Sequence, residues 1–340
     1  MKYFKLHRDK VIIQPYRGFS SPLNFYLRGR ILEDKNIAIH RDATLFDTIK
    51  SNFNRWESDE IPHVPVTLQV ADTQYETTTD REGYFIFEFS PGLNQQELEE
   101  WQFVDLVSKF QYWGQNYQIS AHAEIFLPST RAKLGIITDI DDTILQTDVL
   151  FRLKLLRNTF GQNSFQRRQL SGVSQWINAL HRGVNEDEQN PVFYVSKSPR
   201  NIFDYLANFL TINDFPKGPV LLRDFGRQGI KRSKDYLGHK EDEIDRILNT
   251  YPDLKFIFFG DIAGRDPQIY HYIEQKYPGR VLAIFIRDID HKRRRSAFEA
   301  WYSAAQPSKL TLIRSTLEGA KDTYAKGWHG KGVLEKLDEE

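Results

Sequence analysis

The sequence predicts two domains of different class: an antiparallel β-sandwich over residues 1–130, then an α/β domain built on a parallel sheet over residues 134–325. Three observations carry that reading. Apolar and polar residues alternate through the first 130 positions, apolar residues gather into continuous runs after residue 134, and several of those runs end in an acidic or hydroxyl residue. Alternation marks strands with one face in a core and one in water. Unbroken apolar runs separated by helical patterns mark strands covered on both faces.

In the first domain, "VTLQVAD" sets Val66, Leu68 and Val70 against Thr67 and Gln69, and "YFIFEF" puts Phe85, Phe87 and Phe89 on one face. "TTTDREG", ending in Gly83, reads as the turn before that strand. "NFYLRGRIL" and "YQISAHAEIFL" follow the same pattern, and "SPGLNQQELEEWQ" holds one short helix between strands. "FLPSTRAKLG" is the expected boundary. In the second domain the strands are "LGIIT", "PVFYV", "GPVLL", "LKFIFF" and "RVLAIFI". Between them, Val173, Trp176, Ile177 and Leu180 share one helical face, and Ile244, Ile247, Leu248 and Tyr251 share another.

Composition narrows the function. Lysine plus arginine and aspartate plus glutamate number 46 each, so the net charge is zero and no broad attraction to nucleic acid is expected. There are no cysteines, which excludes disulfides, thiol catalysis and a cysteine-ligated zinc site. The N-terminal stretch lacks a secretory pattern, and no apolar run reaches the roughly 18 residues of a membrane span. A cytoplasmic protein is the expectation.

The residues closing the apolar runs form a constellation. In "GIITDIDDTILQTD" the first strand of the second domain ends in Asp139, with Asp141 two residues on; "PVFYV" leads into Ser196; "LKFIFF" leads into Gly260 and Asp261. Ligands of parallel α/β sheets bind beyond the C-terminal ends of the strands. Clustered carboxylates repel one another unless a cation joins them, and Mg²⁺ takes oxygen ligands such as Asp139, Asp141 and Asp261. Asp139 is positioned to attack phosphorus as a nucleophile. Asp141 suits the acid that protonates the leaving oxygen and the base that then activates water, and Thr143 ties down the turn. Ser196 offers a hydroxyl to phosphate, and "SPRNIF" opens a helix with Ser198 as N-cap and Pro199 as first residue. The lysine that phosphoryl transfer needs comes from Lys231, Lys234 or Lys240. A calcium loop does not fit, because Ile144 and Leu150 stand where glycine and glutamate are required.

The order of these residues resembles the four motifs of the haloacid dehalogenase superfamily of aspartate-nucleophile phosphatases. "DIDDT", Ser196 in "FYVSKSP", Lys240 in "GHKEDEIDRIL" and "GDIAGRD" match the motifs in turn. The longer stretches "NPVFYVSKSPRNIFDYLANFL", "GPVLLRDFG", "HKEDEIDRILNTYPDLKFIFFGD" and "DPQIYHYIEQKYPGRVLAIFIRDI" resemble the catalytic domain of the actin-patch-protein type of phosphatidate phosphatase, with an echo in "TLEGAKDTYAKGW". The resemblance spans about residues 134 to 290. It implies a Rossmann-like haloacid-dehalogenase-type domain, and Asp139 as nucleophile with Asp141 as acid/base. Lys240 would hold phosphate, Asp261 and Asp266 would join the metal set, and Mg²⁺ would assist removal of phosphate from phosphatidate to leave diacylglycerol. The chain departs from the family at Arg200, where tryptophan is usual, and at Ile262, where "GDSG" would supply a hydroxyl.

Other readings stand beside these. Asp266, followed by Pro267, is also a natural helix N-cap. The basic run "RDIDHKRRRS" is either a solvated helix end or a contact with anionic membrane, and Arg287 at its start could reach phosphate. Segment 149–170 is either a lid over the site or a helix on the sheet. A soluble phosphomonoester or phosphoprotein is the alternative substrate, and a non-catalytic anionic-lipid-binding module is the alternative function.

Overall fold

The computed structural model describes residues 10–34, 60–91, 100–140, 164–223, 238–289 and 291–338. The chain divides into two compact units, residues 1–127 with 201–205, and residues 128–200 with 206–340.

The first unit is one hydrogen-bonded sheet of β1 (Lys10–Pro15), β2 (Gly18–Ser20), β3 (Phe25–Asp34), β4 (Pro65–Val70), β5 (Thr73–Thr78), β6 (Tyr84–Phe89), β7 (Trp101–Tyr112) and β8 (Gln115–Phe126). Its order is β1-β3-β2-β8-β7-β4-β5, with β6 also paired to β3. All pairs are antiparallel except β2 with β8. The expected facing sheets are thus joined in one hydrogen-bonded network that branches at β3, which pairs with β1, β2 and β6. The alternation reads out directly: Val66, Leu68, Phe85 and Phe87 enter one apolar cluster with Leu27, Ile31 and Leu106. Gly83 closes the turn before β6 at φ 72°, a conformation glycine adopts without penalty. The Asp80 carboxylate accepts the N–H groups of Glu82 and Tyr84 in that turn, each at 2.9 Å. Of the segment expected to hold a helix, residues 92–99 lie outside the described residues, and Trp101 and Gln102 already belong to β7.

Among the described residues the second unit contains six parallel strands in the order β11-β10-β9-β12-β13-β14. They are β9 (Gly135–Asp139), β10 (Val192–Pro199), β11 (Val220–Arg223), β12 (Phe256–Asp261), β13 (Val281–Arg287) and β14 (Leu310–Ile313). By order of appearance this is 3-2-1-4-5-6, so the winding direction reverses between β9 and β12, where open α/β sheets bind ligands. Helices are α1 (Ser164–Arg182), α2 (Phe203–Ile212), α3 (His239–Thr250), α4 (Asp266–Lys276), α5 (Lys292–Ala305), α6 (Thr316–Ala325) and α7 (Gly332–Asp338). Successive residues of β12 show that both faces are covered. The ring of Phe259 lies 4.8 Å from Trp176 of α1, and that of Phe258 lies 5.0 Å from Tyr270 of α4. Among the described residues no helix is long and apolar enough to cross a membrane.

Strand β14 was not expected from sequence. The helix after it explains the C-terminal echo. Gly319 of α6 lies against Trp176, whose ring a Cβ there would meet at 2.2 Å. The indole N–H of Trp176 donates to the Thr323 hydroxyl at 2.9 Å, and the His329 ring contacts the same hydroxyl at 2.9 Å. Segment 316–329 therefore fixes the helix that covers β12 and β13.

Candidate active site

The C-terminal edge of the parallel sheet gathers the acidic residues. Asp139 is the last residue of β9, pairing with Val195 of β10, and Ser196 follows that partner. Asp261 ends β12 and pairs with Arg287 at the end of β13. Asp266 opens α4, and Lys240 is the second residue of α3. All five of Asp139, Ser196, Lys240, Asp261 and Asp266 are buried, at 4% exposure or less.

Lys240 ties the group together. Its Nζ lies 2.9 Å from Oδ1 of Asp139 and 2.7 Å from Oδ1 of Asp266. One carboxylate oxygen from each of Asp139, Asp261 and Asp266 falls within 4.8 Å of the others. Burial pushes the Asp139 carboxyl up to about 6, against the pull of Lys240 and with a further push from Asp266. For Lys240, burial acts to lower the pKa, but Asp139 and then Asp266 more than reverse this, so the ammonium is held well above the usual lysine range.

The loop from Asp261 to Asp266 is drawn tightly around these groups. Oδ1 of Asp261 accepts the N–H of Ala263 at 2.6 Å and of Gly264 at 3.2 Å. A Cβ at Gly260 would come within 2.7 Å of the Asp266 Cβ and 2.8 Å of its Oδ2, so only glycine lets that carboxylate approach β12. The side chain of Asp266 makes no capping bond; Arg265 holds the N-cap position and the carboxylate turns to Lys240. Of the two sequence readings of Asp266, membership of the acidic group is the one the geometry supports.

The residues fit a hard divalent cation. Three carboxylates share one bonded ammonium in a buried space, with the Arg287 guanidinium acting on Asp261 alone, and a divalent ion balances the remaining negative charge. Oδ2 of Asp266 is buried with no hydrogen-bond partner among the described residues, an acceptor such an ion satisfies.

Other sequence expectations meet the structure less simply. Asp141 and Thr143 lie outside the described residues, as do Lys231, Lys234 and positions 149–163; residues 164–170 form the first turns of α1. The helix expected to start at Ser198 and Pro199 starts later. Strand β10 runs to Pro199, a 3₁₀ turn spans Arg200–Ile202, and α2 begins at Phe203. The cause is local, since the Ser196 hydroxyl accepts the Ser198 N–H at 2.9 Å and the chain is still paired to β11 at Pro199. Arg200 is buried and donates from Nε to the Leu222 carbonyl at 3.1 Å, so it anchors the end of β11. Ile262 is buried too, its N–H bonded to the Arg287 carbonyl at 3.2 Å. The basic run becomes the first turn of α5, where the His291 side chain caps the helix and Arg295 pairs with Asp288.

Sequence reasoning missed two features beside the acidic group. Lys197 is exposed, with Nζ 2.9 Å from where a Cβ on Gly264 would stand, so its ammonium lies against the loop joining Asp261 to Asp266. Its position directly after Ser196 was the available signal. On the α1 side of the sheet, a small cavity of about 20 Å³ lies under Thr138 and Gly260, among Trp176, Phe285, Arg287 and Ser315. Burial lowers the pKa of Arg287 there, opposed by Asp261.

The chain is similar in sequence to known proteins, chiefly over the second unit. Residues 134–288 match the family model described as the catalytic domain of phosphatidate phosphatase APP1. Phosphatidate phosphatase APP1 of Saccharomyces cerevisiae is 34% identical over 156 residues, covering 45% of this chain and 26% of that protein. An uncharacterized protein of Schizosaccharomyces pombe is 27% identical over 233 residues, covering 63% of this chain and 37% of its own length. The chain thus spans between a quarter and two fifths of the curated relatives it matches. A β-glucuronidase structure from Parabacteroides merdae aligns over 82% of this chain and 33% of its own at 9% identity and TM-score 0.23, too low to bear on fold or activity.

Proposed function

We propose that this protein is a Mg²⁺-dependent phosphatidate phosphatase with a haloacid-dehalogenase-type site, a reading supported by the match of residues 134–288 to the model of the phosphatidate phosphatase APP1 catalytic domain. Its products are diacylglycerol and inorganic phosphate. The observation that carries the reading is the buried cluster of Asp139, Asp261 and Asp266 around Lys240, at the sheet edge where Ser196 also stands.

In this mechanism an ionised Asp139 oxygen attacks phosphorus in line with the bond to the glycerol oxygen. The ammonium of Lys240 and the Ser196 hydroxyl hold the non-bridging oxygens and stabilise the charge that develops on them. Asp141, whose role rests on its place in "DIDDT", donates a proton to the departing alkoxide of diacylglycerol. It then removes a proton from water, which attacks phosphorus, breaks the bond to the Asp139 oxygen and releases phosphate. Asp139, Asp141, Asp261 and Asp266 would hold a magnesium ion, which when bound would supply positive charge to the transferring group. Lys240 also keeps Asp139 oriented between turnovers, through its bridge to Asp266. Acting on a membrane lipid, the protein works from the cytoplasm at a membrane surface.

The test is phosphate release from phosphatidate in mixed micelles and from soluble phosphomonoesters, with and without EDTA. The expected result is EDTA-sensitive release from phosphatidate that Asp139→Asn abolishes. Equal turnover by Asp139→Asn refutes the mechanism. Turnover confined to soluble phosphomonoesters moves the substrate assignment to that class.

A further inference from the structure

We propose that the tip of the β7–β8 hairpin is a membrane anchor, with Trp113 entering the headgroup region of an anionic or zwitterionic bilayer. The inference names the surface on which the proposed lipid chemistry takes place, and so rests on that reading.

The hairpin is twelve residues a side, paired from Trp101 with Phe126 to Tyr112 with Gln115. Its two-residue turn is Trp113–Gly114, with φ of 48° and 73°. Positive φ at both central positions is the mark of a type I′ turn, which favours Asn-Gly or Asp-Gly. A bulky residue at positive φ is a rare and strained choice. Here it holds tryptophan, at 86% exposure the most open of the large apolar side chains among the described residues. Its ring meets Tyr112 edge-on at 5.8 Å. Nothing about folding the hairpin calls for an indole there, and the backbone argues against it.

The surroundings fit one occupant. Below the turn Phe110, Tyr112 and Tyr117 are half-buried against the unit's apolar cluster, with Phe110 and Tyr117 stacked at 5.2 Å, so the tip is the exposed Trp113 standing on an aromatic base. Aromatic rings with a polar edge settle at the boundary between headgroups and acyl chains. The charge pattern agrees. Residues 106–123 contain no aspartate or glutamate, in a chain where 46 of 340 residues are acidic, about one in seven. Lys109 is the fixed charge in that stretch, and it is exposed. An aromatic tip with one cation and no anion meets a lipid headgroup layer without repulsion.

The experiment is vesicle flotation of the full chain with phosphatidylcholine vesicles, alone and containing phosphatidate, comparing the parent with Trp113→Asn and Trp113→Ala. Asparagine is favoured at that turn position, so Trp113→Asn should fold at least as stably as the parent by thermal melting. The expected result is flotation of the parent and a roughly tenfold loss of partitioning in both variants, the scale of removing one large apolar side chain from a lipid contact. Turnover of a short-chain phosphatidate that stays monomeric should be unchanged, while turnover of vesicle phosphatidate falls. Absence of flotation by the parent, or equal flotation of parent and variants, overturns the proposal. So does a parent dimer that Trp113→Asn dissociates while vesicle binding is unaltered, since the tip then serves a second copy of the chain. If no phosphatidate is hydrolysed in any form, the activity assignment fails by itself, and flotation still decides the anchor.

Discussion

Replacing Asp139 by asparagine should stabilise the metal-free protein while abolishing its activity. The Asp139 carboxyl is pushed from 3.8 to about 6, chiefly by burial. Between those values the folded protein holds a proton that the unfolded chain has lost, so stability falls as pH rises through the window. Above it the full penalty applies: about 2 pH units, or about 3 kcal/mol. Asparagine keeps the shape and an acceptor for Lys240 but carries no charge. Its gain should be about 3 kcal/mol near pH 7.5 and about 1 kcal/mol near pH 4.5. For a unit of this size that is roughly 6–12 °C in melting temperature near neutral pH. Thermal melts in EDTA at the two pH values read the difference, and melts in Mg²⁺ should narrow it, because the ion stabilises the parent more. A variant that melts below the parent in EDTA near pH 7.5, or shows a gain independent of pH, refutes the view that Asp139 is a strained, buried carboxylate awaiting a cation.

Three further substitutions probe the same architecture. Lys240→Ala leaves Asp139 and Asp266 uncompensated; urea unfolding in EDTA should show a loss of roughly 3–5 kcal/mol, and turnover should drop by roughly 100-fold or more. Gly260→Ala drives a Cβ to 2.7 Å from the Asp266 Cβ, so the rise in melting temperature produced by Mg²⁺ should shrink while folding costs about 1–3 kcal/mol. Gly319→Ala gains up to about 1 kcal/mol of helix propensity but meets the Trp176 ring at 2.2 Å. A net destabilisation with an altered near-ultraviolet tryptophan signal is expected, and an unchanged signal would show that α6 does not clamp Trp176.

The parallel sheet was legible because its strands are buried on both faces, and five of the six announce themselves as apolar runs. The sixth, β14, is only four residues long and half-buried at its centre, so it carries no such signature. The acidic group was legible because Asp139 and Asp261 end strands, and strand order alone brings such ends together. The grip of Lys240 on both Asp139 and Asp266 was not, since it depends on how α3 and α4 approach the sheet edge. Alternation identified strands of the first unit but not their joining through β3, because pairing is set by neighbours distant in sequence. The helix start at Ser198 was misjudged because serine followed by proline favours a cap only when the hydroxyl partners leave the chain free to turn. Here the bond between Ser196 and Ser198 holds it extended.

The C-terminal clamp bears on anyone wishing to express the similarity-matched segment by itself. That segment stops at residue 288, the residue whose N–H donates to the Ile313 carbonyl. Cutting there removes β14 and bares the backbone of β13 over Ile284–Arg287, a surface that invites strand addition by neighbouring molecules. It also takes away Thr323 and Gly319, so the Trp176 indole would lose its acceptor and its cover at once. Such a fragment should be recovered as aggregate, because the portion that kinship can recognise is shorter than the portion that must fold together.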